Sequence, residues 1–146
     1  MKTQSINVLG YTGNNSQFVV KTSNTDLRIS KNATPYPAAA PNPYEYILAG
    51  FAGCINALGQ LVATELGINL KSLQIEITGN LNTDVSGVGG KVKPGFNAIE
   101  IILKPATIAP LETLQKWMKE VQFRSPVYDH DTQVNLNLYK DIAVAV

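Results

Sequence analysis

One cysteine, Cys54, and one histidine, His130, are all the thiol and imidazole in the 146 residues. A lone thiol closes no internal disulfide, and one Cys with one His does not complete a structural zinc site, so neither a disulfide nor a metal is expected to hold the fold. Charge is also scarce: 16% of residues are charged and the net charge is +1, which leaves no basic footprint for nucleic acid. The stretch Met1 to Asn15 lacks the apolar core and cleavage pattern of a secretory leader. The expected compartment is therefore the reducing cytoplasm, where a free thiol persists and the sequon at Asn32 to Thr34 has no consequence.

Phosphate-binding signatures are missing as well. The glycines of "VSGVGGKVKPG" stand between two strand-like segments with no helix directly after them, which fits a hairpin loop rather than a phosphate cradle. No cofactor is expected. A serine hydrolase built from Ser125, His130 and Asp129 or Asp131 lacks the Gly-x-Ser-x-Gly elbow and crowds its candidates into one short segment. His130 itself, between two acids, reads as a solvated side chain.

What the sequence does have is a long run without charge, from Tyr46 to Thr64, at 45% apolar content overall. The run is long enough for a membrane span. Gly53, Gly59, Asn56 and Gln60 within it, and the absence of a flanking Lys/Arg cluster, favour a helix inside a soluble protein. Its start has good capping chemistry, with Asn42 as N-cap, Pro43 at the first helical position and Glu45 closing a capping box; Gly67 supplies the stop. At 100° per residue, Tyr44, Ile47, Leu48, Phe51, Ile55, Leu58, Leu61, Val62 and Leu66 form one broad apolar arc with Cys54 at its edge. Ala49, Ala52, Gly53, Asn56, Gly59 and Ala63 give the other side small side chains, so the helix is expected to be covered on both sides.

Around this helix the chain reads as a single α+β domain, residues 1–146, in the order β-β-β-α-β-β-α-β. Strand-like "SINVLGY", "QFVVKTS" and "LRIS" lead, and a proline-rich surface segment, "KNATPYPAAAPNP", follows. After the helix, "SLQIEITGNLN" and "FNAIEIILK" alternate as an antiparallel hairpin. "PLETLQKWMKEVQF" places Leu111, Leu114, Trp117, Met118 and Val121 on one helical face. Ser125-Pro126 has the form of a helix start, and "QVNLNLYKDIAVAV" returns to strand alternation.

These pieces resemble a known family. "NPYEYILAGFAGC" is similar to the cysteine-bearing helix of the OsmC/Ohr proteins, the osmotically inducible and organic hydroperoxide resistance family. "PGFNAIEIILK" is similar to its middle strand, and "VQFRSPVYD" to its Cys-Pro segment. The resemblance implies an intertwined homodimer with curved antiparallel sheets around the long central helix, and a partner chain would supply the second cover that helix asks for. It also implies thiol peroxidase chemistry of oxidative stress defence, with Cys54 in the peroxidatic position attacking a small organic hydroperoxide.

Three features depart from that pattern. Ser125 occupies the place of the resolving cysteine, so an external thiol reductant would have to take over that step. "TGNNS" in the first hairpin carries no arginine, and Tyr44 stands where the Ohr branch has an acid, with Glu45 one residue later. The expected site is Cys54 with Glu45, Arg124 and Ser125; of the two arginines, Arg28 and Arg124, the second adjoins Ser125. The alternatives are a catalytically degenerate homodimer that binds a small hydrophobic ligand, and a structural homodimer without small-molecule chemistry.

Overall fold

The structure is a computed structural model that describes residues 3–12, 17–30, 40–82, 88–90, 95–125 and 133–139. The expectations for the first hairpin turn, most of the proline-rich segment, most of the glycine loop, the helix expected from Pro126 on, His130 and the last residues lie outside these. Two compact units are present, Met1–Ala49 and Gly50–Val146, and the division falls within the long helix.

The first unit holds strands β1 (Leu9–Thr12), β2 (Gln17–Lys21) and β3 (Asp26–Ser30), paired antiparallel in the order β1-β2-β3. The leading segment pairs later than its alternation suggests, because residues 3–8 are exposed and outside any strand. Thr22 makes the β2–β3 turn from its own side chain. Its hydroxyl donates to the Thr25 carbonyl at 2.8 Å and accepts from the Thr25 amide at 3.0 Å, the local side-chain bonding by which Thr stabilises turns.

Helix α1 (Pro43–Glu65) begins with the expected capping box. The Tyr44 amide donates to Asn42 Oδ1 at 2.7 Å, and the Asn42 amide donates to Glu45 Oε1 at 2.9 Å. Tyr46 ties this first turn to β3, its hydroxyl donating to the Arg28 carbonyl at 2.7 Å. The other end closes as a Schellman motif: the Ile68 amide donates to Ala63 O at 2.8 Å and the Gly67 amide to Thr64 O at 3.2 Å. That geometry requires a left-handed residue, and Gly67 takes it with φ of 69°.

The second unit holds β4 (Ser72–Asn82), β5 (Gly95–Ala106), helix α2 (Leu111–Arg124) and β6 (Gln133–Leu138). β4 and β5 pair antiparallel, with Ile75 opposite Leu103 and Ile77 opposite Ile101, and a bulge at Asn80/Leu81. The alternation is as read: Ile99, Ile101, Leu103 and Pro105 are buried, while Gln74, Glu76, Thr78 and Glu100 are exposed. The α+β class holds, but one detail of the antiparallel expectation does not, because β6 runs parallel to β5. Alternation carries no strand direction; the direction comes from the α2 crossover between β5 and β6, the kind of connection parallel neighbours need.

The core of this unit is Phe51, Ile55, Val62 and Ala63 of α1, Ile99, Ile101 and Leu103 of β5, Leu114, Trp117 and Val121 of α2, and Val134 of β6. Leu111, expected on the buried face of α2, is exposed at its first turn. By length and composition alone α1 could cross a membrane. Its middle is instead engaged by protein, as described next.

Candidate functional site

Cys54 lies mid-helix on α1, half-buried and free, one residue before fully buried Ile55. On its other side Gly53 is exposed, and a Cβ added at Gly50 or Gly53 would meet nothing within 4 Å. Among the described residues nothing lies against Gly50 or Gly53, so the second cover expected for α1 is not seen there. Ile47 and Leu61, both on the expected apolar arc, are more than half exposed, at 54% and 52%.

The remaining expected site residues are held elsewhere. Glu45 spends its carboxylate on the capping box. Arg124 makes a bidentate pair with Glu65, Nη1 to Oε1 at 3.1 Å and Nη2 to Oε2 at 2.7 Å, while its Nε donates to Glu120 Oε1 at 2.8 Å. A helical rise of about 1.5 Å per residue puts roughly 16 Å of axis between Cys54 and Glu65. Arg124 is therefore fastened to the C-terminal turn of α1, not to the cysteine turn. Arg28 donates weakly to Gln17 at 3.5 Å on the first sheet.

The electrostatics follow this pairing. Hydrogen bonding from Arg124 holds the Glu65 carboxyl below its ordinary range, desolvation opposes this, and the Arg124 charge adds to the lowering. Arg124 is raised in turn, first by its bond to Glu65 and then by its bond to Glu120. Glu65 is exposed and Arg124 a third exposed, so solvent screens the pair, and it orients the end of α2 more than it stabilises the fold.

Ser125 is the C-cap residue of α2, its amide donating to Gln122 O at 3.4 Å. Its Oγ is buried and has no hydrogen-bond partner among the described residues. A buried hydroxyl left unpaired is uncommon, and here it sits at the position that the family resemblance assigns to a cysteine. Among the described residues no group of three His, Cys, Asp or Glu side chains could hold a metal ion.

One contact near the cysteine has no local sequence signal. The indole of Trp117, on α2, donates from Nε1 to the Gly59 carbonyl of α1 at 2.8 Å, and the bond is buried. Gly59 permits this approach, since a Cβ there would lie 3.0 Å from Leu73 Cδ2 and 3.2 Å from Trp117 Cζ2. The partners are 58 residues apart, so helical periodicity places each on a buried face but does not pair them.

Comparison with known proteins places this arrangement. The family model described as OsmC-like protein matches residues 36–136. No curated protein matches the chain. Among solved structures, an OsmC-like protein from Mycoplasma pneumoniae superposes with a TM-score of 0.84 at 15% identity, covering 95% of this chain and 99% of that one. An organic hydroperoxide resistance protein OsmC from Legionella pneumophila gives 0.70 at 16% identity, over 94% and 98% of the two chains. OhrB of Bacillus subtilis, an organic hydroperoxide resistance protein, gives 0.67 at 19%, over 93% and 98%. A family match across more than half of the residues, on an architecture shared along nearly the whole length, shows that this chain belongs to the OsmC-like family.

Proposed function

We propose that this protein is a one-cysteine organic hydroperoxide reductase of the cytoplasm. The observation that carries the reading is the placement of the chain's only thiol, Cys54, on a half-buried turn of the family's central helix. In the first step the Cys54 thiolate attacks the terminal oxygen of a hydroperoxide ROOH. The S–O bond forms, the O–O bond breaks, and the departing alkoxide takes a proton to leave as ROH, with Cys54 oxidised to the sulfenic acid. Ser125 offers no sulfur to capture it. An external thiol condenses with the sulfenic acid, releasing water and leaving a mixed disulfide, and a second thiol restores Cys54 while the two reductant sulfurs pair.

The test is the intact mass of reduced protein after brief exposure to stoichiometric cumene hydroperoxide with a sulfenic-acid trap. One trap adduct on Cys54, formed faster with the organic peroxide than with hydrogen peroxide, is the expected result. An unlabelled Cys54 would remove the enzyme reading.

A homodimer belongs to this proposal. Open space beside Gly50 and Gly53, with Ile47 and Leu61 exposed, leaves an apolar helix surface that a second copy of the chain would cover. Light scattering at micromolar concentration should give twice the mass of one chain, and a monomer would rule the assembly out.

The commitment of Arg124 to Glu65 and Glu120 favours a second reading. If no positive group reaches Cys54, the leaving alkoxide is not stabilised, and the protein is a non-catalytic homodimer that binds a small hydrophobic ligand. An unreactive Cys54 together with a thermal shift on adding a lipid-like ligand would select this reading over the first.

A further inference from the structure

We propose that Trp117 is a positioning residue for Cys54, acting through the Gly59 carbonyl. The inference rests on the reading of Cys54 as the reactive thiol. In a regular helix the carbonyl of Gly59 already accepts the amide four residues on, so the indole N–H uses its second lone pair. This bond is made in a buried setting, where it is stronger than in water and is not replaced by solvent when lost.

Its geometry is confined from both sides. Trp117 is 1% exposed, wedged where a Cβ on Gly59 would press on both Leu73 of β4 and the indole itself. The contact therefore ties α1 at Gly59 to α2 and sets it close against Leu73 of β4. Cys54 stands five residues earlier, roughly 7.5 Å along the axis, and Ile55 and Phe51 pack into the same core. Through this stretch of helix, the hold at Gly59 is what keeps the thiol at the half-buried edge rather than turned outward. A displacement of about an ångström at a reacting group is costly for turnover.

Trp117 is the chain's only tryptophan, so supplying an analogue during expression exchanges this side chain alone. β-(3-Benzothienyl)alanine keeps the bicyclic shape and replaces the N–H by sulfur; 7-azatryptophan keeps the N–H. The readouts are the alkylation rate of Cys54 by iodoacetamide and the kcat and KM for cumene hydroperoxide, all well below the melting point of each protein.

In the benzothienyl protein the expected result is alkylation faster by about threefold or more and kcat lower by about the same factor, with KM little changed. The azatryptophan protein should return both rates to within about twofold of wild type. A bond that only stabilised the fold would move the melting point and leave the native alkylation rate and kcat alone; that pattern overturns the proposal. If alkylation responds as expected while wild type consumes no hydroperoxide, positioning of the thiol stands and the peroxidase reading falls.

Discussion

Replacing Cys54 with serine should abolish hydroperoxide consumption, a fall of at least about a thousandfold in kcat/KM, toward the rate in buffer. The size of the effect follows from the chemistry. The reaction transfers an oxygen atom to sulfur, raising its oxidation state, and a serine oxygen accepts no such transfer. Serine is also a far weaker nucleophile at neutral pH, being almost entirely protonated where a thiol is partly ionised. No second cysteine in the chain can substitute.

The same replacement should leave the fold nearly untouched. Cys54 is half-buried beside an open glycine surface, and exchanging sulfur for a smaller oxygen there opens no sealed cavity. Circular dichroism and melting of Cys54→Ser are thus the control that separates lost chemistry from lost structure. A well-folded Cys54→Ser protein with wild-type consumption would mean that peroxide reduction does not pass through this thiol, and with it the one-cysteine mechanism would go.

How much of this was legible in the sequence differs between elements, for physical reasons. Both ends of α1 are local events: Asn42 and Glu45 cap within one turn, and Gly67 ends the helix through its own dihedral angle. β4 was legible over its whole length, because alternation reports directly on a sheet with one wet face. The direction of β6 was not, since a period of two is the same in either direction.

The candidate site divides in the same way. The mid-helix placement of Cys54 was legible from a motif on one helix, where spacing along the chain is spacing in space. The fate of Arg124 depended on Glu65, 59 residues away, and nothing near Arg124 distinguishes an arginine aimed at a thiol from one clamped by two carboxylates. Adjacency in sequence does not give direction at the end of α2: the Arg124 guanidinium pairs with Glu65 of α1, and the Ser125 hydroxyl is buried. Trp117 was placed correctly on the buried face of α2, but its donor role needed the Gly59 carbonyl beside it.

Trp117→Ala should produce the largest loss of stability of any single change in the second unit, about 3–5 kcal/mol. Three contributions add in the same direction. The indole is the largest side chain that is fully buried, so truncation removes more apolar contact than at any other core position. The groups about Gly59 belong to different elements, the α1 backbone and Leu73 of β4, and both would have to move to close the gap. The buried carbonyl of Gly59 also loses its side-chain donor, although its helical partner remains, which limits this part to about 1 kcal/mol.

Trp117→Phe separates these contributions, because phenylalanine keeps much of the apolar volume and drops the donor. Its cost should fall between wild type and alanine, about 1–2 kcal/mol. Chemical denaturation followed by circular dichroism measures both, since neither variant retains indole fluorescence. Equal losses for Phe and Ala would assign the stabilisation to the N–H bond, and a negligible loss for Ala would mean that the indole does not join α1 to α2. If the order is wild type, Phe, Ala, the same side chain that holds the cysteine helix also carries a large share of the unit's stability. Selection for a well-placed thiol and for a stable core would then act on one residue.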